Sequence, residues 1–300
     1  MKVDTLASKA MLVKLTTRRA NLTTRDLVAE EYLQGELGDT AFVVNKKLFR
    51  DTTNPINKLL AKASEIYTYH KTHTLPYVDK GPRLLPNDQY FEYTEKMRGI
   101  MAEVDSMMAL YMPKYDVYVG LDVQARAIAD NGRAKPAKYI APSADDYPTA
   151  HDFQNRMGHE LRFTPLPQAR HFLFDISEHD MEQFEATMSD VATRARSEVI
   201  KKMMEPLKHL VDKLNKPIGT EGAIFRDSAI ENVIEGLEMA RKLNVNGDED
   251  VVVMANTISQ AISIFSDNKE VLRESPIVRE QAAKKLDYIA QQMGALYGSV

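Results

Sequence analysis

Ser177-Glu-His-Asp-Met181-Glu-Gln-Phe184-Glu-Ala-Thr-Met188-Ser-Asp-Val191-Ala-Thr-Arg-Ala195-Arg-Ser-Glu-Val199-Ile-Lys-Lys-Met203-Met-Glu-Pro-Leu207-Lys-His-Leu210-Val-Asp-Lys-Leu214 decides the fold class of this chain. Its apolar residues recur at near-heptad steps, so they share one face of a helix. Ser177 is placed to cap the first turn, where Glu178 and Asp180 meet the positive end of the helix dipole. A helix of roughly 35 residues is about 50 Å long at 1.5 Å per residue. Such a stripe predicts an elongated bundle or coiled-coil assembly, with Pro206 as a kink and Pro217 and Gly219 as the stop. A homo-oligomer, dimer or tetramer, is expected from it.

The rest of the chain also reads as mostly helical. Thr24 is read as the cap of a helix over 24–35. A second helix is predicted from Pro55 to Lys71 on Ile56, Leu59, Leu60, Ala63 and Ile66/Tyr67. A third follows Pro86, capped by Asn87, with Tyr90, Tyr93, Met97, Ile100, Met101 and Val104 as its apolar stripe, and ends near Met112-Pro113. Asn131-Gly132, Pro136, Pro142 and Pro148 predict an irregular connection over 114–148, with a weak helical segment at Asp122–Asp130. Two short strands are predicted at Glu160–Thr164 and Ala169–Ile176. Helices at Arg226–Leu243, Asp250–Phe265 and Pro276–Leu296 complete the reading. The expected fold is therefore mainly α, an elongated helical bundle with a coiled-coil-like helix and a small two-stranded β element. A basic helical region over 1–145 and an oligomerising region over 146–300 form one or two domains.

Composition removes several classes. The chain of 300 residues has no Cys and no Trp, which excludes disulfides and thiolate–metal sites. Met1-Lys-Val-Asp-Thr-Leu-Ala-Ser-Lys9 lacks the apolar core of a signal peptide, and no run approaches about 18 uncharged apolar residues. A cytoplasmic protein without a membrane partner is expected. There is no P-loop, no dinucleotide-binding glycine pattern and no glycine-flanked nucleophilic serine. The seven histidines form no His-x-x-x-His pair, and His70 and His73 have only Asp79 nearby. No enzyme activity, cofactor or metal is expected. Arg226-Asp227 with Asn232 reads as a helix-end pair, and Met97, Met101, Met107, Met108 and Met112 as adaptable core or interface.

Charge is uneven. The net charge is −4, yet residues 1–100 hold 16 Lys/Arg against 12 Asp/Glu, and the remainder 23 against 31. Such a distribution permits a basic face on an acidic molecule. Arg18, Arg19, Arg25, Lys46, Lys47, Arg50, Lys58, Lys62, Lys71, Lys80 and Arg83 are candidate phosphate contacts. Tyr67, Tyr69 and Tyr77 are candidate stacking faces for unpaired bases. The segment from His70 to Pro86 is dense in Pro, Gly, cations and aromatics, and is read as an irregular loop that projects Lys71, Lys80 and Arg83 beside Tyr77. Core tyrosines and solvated helix faces account for the same residues without a ligand.

Thr74-Leu-Pro-Tyr-Val-Asp-Lys-Gly-Pro-Arg-Leu-Leu-Pro86, followed by Tyr90 and Tyr93, resembles a Thr-Leu-Pro-aromatic, Gly-x-Arg-Leu-Leu-Pro signature of uncharacterised tailed-phage proteins. Asp146-Tyr147-Pro148, the segment around Pro167 and Phe172, and Phe225-Arg226-Asp227-Ser228 with Asn232 follow in the same order, so the likeness covers residues 70–250. Tyr77 stands where that family suggests Trp, and His171 where it suggests an acidic or polar residue. The chain is also similar, more distantly, to the elongated, helical, single-stranded-DNA-binding transcription cofactors of N4-type phages. No binding residue is carried over from them. The likeness implies a phage protein that holds single-stranded DNA cooperatively and supports transcription or replication beside an RNA polymerase. The different-class alternative is a protein-interaction adaptor, for example beside a MoxR-type AAA+ ATPase. Lys71, Tyr77, Lys80, Arg83, Arg18, Arg19, Lys46 and Lys47 are the residues expected at the nucleic acid.

Overall fold

The computed structural model of the chain describes residues 3–38, 41–77, 81–130, 143–167, 177–218, 226–266 and 269–297. The fold is mainly helical, with a small antiparallel sheet and one long helix. Two compact units interleave along the chain: Met1–Lys14, Lys71–Tyr93 and Arg162–Val300 make the first, Leu15–His70 and Thr94–Leu161 the second.

The first unit is organised by α7 (Glu178–Asn215), which is 38 residues long and passes through Pro206. Ser177 caps it as the sequence predicts, its side chain accepting from the Asp180 N–H at 3.1 Å. The apolar stripe from Met188 to Leu214 is buried. It packs against α8 (Ser228–Lys242), α9 (Glu249–Ser266) and α11 (Pro276–Tyr297), with α1 (Val3–Lys9) also touching it. The heptad-like stripe is thus covered within one chain, by helices whose own periodicity is plain in the sequence. A six-residue helix, α10 (Lys269–Glu274), precedes α11 and has no counterpart in the sequence reading.

The segment from His70 to Pro86 is not simply an irregular loop. Leu75–Pro76 is strand β4 and Arg83–Pro86 is strand β5, and both lie in a four-stranded sheet of order β4-β5-β1-β6. In it, β1 (Ala10–Arg18) pairs antiparallel with β5, Ala10 opposite Pro86 and Val13 opposite Arg83. The prolines are tolerated because Pro76 lies on the edge strand and Pro86 at a strand end, where a missing N–H costs no interior ladder bond. β6 (Gly158–Pro165) contains the first strand predicted from sequence; Ala169–Ile176, Gly219 and Phe225 lie outside the described residues.

The second unit holds α2 (Leu27–Leu37), α3 (Pro55–Thr72, up to His70), α4 (Tyr90–Tyr111, from Thr94), α5 (Tyr115–Asp130) and α6 (Ala150–Arg156). Asp26 caps α2, accepting from the Ala29 N–H; Thr24 sits instead in β2 (Thr23–Arg25), opposite Lys46 of β3 (Asn45–Lys47). Asn87 does not cap α4 either: its amide donates to the Ser8 carbonyl, within the first unit. α5 begins well before the predicted segment, because Pro113 occupies a 3-10 turn over Met112–Lys114 in which its missing N–H is harmless. Phe49, Tyr115 and Phe153 are fully buried, with Phe49 edge-on to both Tyr115 and Tyr147.

A buried carboxylate fixes this core. Asp122 on α5 accepts from the N–H groups of Phe49 and Arg50, both at 3.0 Å, and from the Tyr147 hydroxyl. Phe49 has φ +48°, a left-handed conformation that a side chain rarely adopts, so Asp122 also holds a strained turn. Arg126 donates to the same Tyr147 oxygen at 3.1 Å.

Candidate nucleic-acid interface

The sequence-predicted cations separate into three groups. Arg18 and Arg19 line a groove of about 260 Å³ in the second unit, together with Tyr67, Met108 and His159. Both arginines are exposed, and neither has a carboxylate within ion-pair distance among the described residues. Tyr67 on α3 turns a 58% exposed side chain into this groove. Val104, Met108 and Met157 give it an apolar floor. The arrangement offers two guanidinium groups for phosphates and one aromatic face for a base, the pairing that sequence-tolerant single-strand binding uses.

Local chemistry explains how the arginines reach the groove. β1 carries them to its end, where the Ala20 N–H meets the Met157 sulfur at 3.4 Å. The Arg18 guanidinium lies over Gly158: a Cβ there would stand 2.9 Å from one guanidinium nitrogen. A glycine is required for that close approach. His159, beside it, places Nε2 3.5 Å from the Asp105 carboxylate, which sets one acid at the rim. Sequence reasoning did not assign Gly158 or His159 to a site, because nothing local marks them; only the placing of β6 beside β1 brings them to Arg18.

Lys71, Arg83 and Tyr77 lie in the first unit. Arg83 donates from Nε to the Thr74 hydroxyl at 2.7 Å and from a terminal nitrogen to the Thr74 carbonyl at 2.8 Å. Tyr77 is half-buried against the apolar core, and burial pushes its phenol above the ordinary tyrosine range. It packs rather than projects, so the loop as drawn from sequence loses its stacking face. The Lys71 side chain is exposed, and Lys80 lies outside the described residues.

Of the remaining cations, Lys46, Lys62 and Arg25 are engaged. Lys46 pairs with Asp146 at 3.0 Å, whereas Lys47, next along β3, is exposed; neither lines the groove. Lys62 pairs with Glu65 and Glu103. Arg25 pairs with buried Glu30, whose carboxylate also accepts the Val44 N–H. These bonds, Arg25 first, hold Glu30 below the usual carboxylate range. Surface pairs of this kind add little stability, but each occupies a charge that a phosphate would need.

Among the described residues no group of three or more His, Asp and Glu side chains is placed to hold a metal ion, and no helix is long and apolar enough to cross a membrane. No protein-family model, curated protein or solved structure matches the chain.

Proposed function

We propose that the chain binds single-stranded nucleic acid, DNA first, through the groove of the second unit. One observation carries this reading: Arg18 and Arg19 share a groove with the exposed ring of Tyr67 over an apolar floor. The phage resemblance extends it to a cytoplasmic protein that coats unpaired DNA and supports transcription or replication beside an RNA polymerase. Coating a strand cooperatively requires contact between copies. The support for self-association lies in exposed apolar residues, Leu27, Tyr32 and Leu37 on α2 and Val117, Leu121 and Ile128 on α5, since the stripe of α7 is already covered. The same residues favour the adaptor reading, in which they dock a different protein.

Fluorescence anisotropy with single- and double-stranded oligonucleotides at two salt concentrations tests the proposal. Preferential single-strand binding that weakens with salt is expected, because neutralised phosphates release counterions. Absence of binding at low salt would replace the proposal with the adaptor reading.

A further inference from the structure

We propose that Lys71, Arg83 and Lys202 form an oxyanion site in the first unit that takes a phosphate group. Lys202 is buried along α7 to 14% side-chain exposure. Its ammonium stands 3.4 Å from the Lys71 carbonyl and 3.8 Å from Glu198. Both distances exceed the 2.7–2.9 Å typical of charge-assisted hydrogen bonds. A largely buried ammonium is therefore met only by Glu198 at the long end of ion-pair distance, although desolvating it is costly.

Further cations surround it instead. Arg83 reaches toward the same Lys71 carbonyl, at 3.4 Å, and Lys71 carries its own exposed charge. Glu198 and Glu205 oppose them, but Glu205 is also engaged by Lys201 at 3.5 Å. Burial first, then the fields of Arg83 and Lys71, push Lys202 below the ordinary lysine range against Glu198 and Glu205. Like charges gathered around a desolvated one are unfavourable until an anion joins them, and a perturbed cluster of this kind is a candidate binding site. A tetrahedral phosphate supplies several acceptor oxygens at once, which matches cations arriving from α3, β5 and α7. None of these residues lines the groove, and Lys202 carries no local signal in the sequence, being one polar residue on a long helix.

The test is acylation of Lys202 in the wild-type chain by an amine-reactive reagent, read by mass spectrometry in phosphate and in chloride of equal ionic strength. Phosphate is expected to slow labelling at Lys202, by about tenfold for each unit by which it raises that pKa. Labelling of Lys284, on the exposed face of α11, should be unchanged. Equal rates at Lys202 in both salts would overturn the site. An oligo(dT) arm identifies the source: protection by the oligonucleotide at micromolar concentration assigns a strand phosphate, and protection by inorganic phosphate alone assigns the free ion. Phosphate bound at the site should also shield Lys71 from the reagent, and Lys202→Met, which keeps the packing of the stem, should abolish that protection. Phosphate protection that survives in an Arg18→Ala/Arg19→Ala chain, with oligonucleotide affinity lost, would separate this site from the groove.

Discussion

Gly158 sets where the Arg18 guanidinium lies, which gives a way to move a charge without removing it. In Gly158→Ala the added methyl would meet only the far end of a flexible side chain, so Arg18 swings away at little cost. Single-strand affinity is expected to fall while thermal stability stays within about 0.5 kcal/mol, the range of ordinary surface substitutions. Anisotropy and a melting curve on the same variant check it; unchanged affinity would take Arg18 out of the interface. Tyr67→Ala should cost about 1–3 kcal/mol of binding with the salt slope intact, since stacking releases no counterion. Arg18→Ala and Arg19→Ala should each flatten that slope by about 0.7, the single-strand value per phosphate. Elsewhere in the same unit, Tyr147 is pushed up to about 12, by burial first and then by its bond to Asp122. The folded state therefore favours the neutral phenol. Its contribution is complete below the ordinary value of 10 and is lost as pH rises through about 12. Denaturant titrations between those limits should show stability falling in the wild type and falling less in Tyr147→Phe. Part of the fall should persist there, because Tyr115 is shifted in the same direction.

At the scale of elements, the packing of α8 on α7 depends on a missing side chain. Pro206 has no N–H to bond the Lys202 carbonyl four residues earlier. Gly236 of α8 sits against that carbonyl, where a Cβ would stand only 2.6 Å away. Gly236→Ala must displace backbone, and a loss of about 1–3 kcal/mol in urea unfolding is expected. Gly99→Ala in α4 meets nothing within 4 Å, so it should instead stabilise by about 0.5–1 kcal/mol. Helices such as α3, α4, α7, α8, α9 and α11 were legible because one face of each buries a periodic apolar stripe. β1, β4 and β5 were not. The register of β1 on β5 depends on residues some 70 positions apart, and β4 and β5, though near in sequence, carry Pro76 and Pro86, which read locally as loop. The groove was half legible: the residue types were named, but Arg18 and Tyr67 meet only after folding, while Tyr77 and Arg83 were absorbed by packing and by Thr74.

At the scale of the whole molecule, a net charge of −4 works against a polyanion, so binding has to come from local field. With only the two groove arginines engaged, the slope of log affinity against log salt for a single strand is expected near −1.4. A steeper slope would bring in further phosphate contacts, such as those assigned to Lys202 and its neighbours. Self-association is the companion expectation. The long stripe of α7 no longer argues for it, since α8, α9 and α11 bury that face. The case passes to the exposed apolar residues of α2 and α5, whose exposure is costly in an isolated chain. Light scattering at micromolar protein is expected to give a mass above the 33.9 kDa of one chain, with a dimer as the smallest assembly. Leu27→Glu with Leu37→Glu, or Val117→Glu with Leu121→Glu, should return it to one chain without lowering the melting temperature, because these side chains are exposed within the chain. Binding isotherms should then lose their sigmoidal shape. A mass of 33.9 kDa in the wild type, both alone and with oligo(dT), would leave the groove as a one-chain site and remove cooperative coating from the proposal.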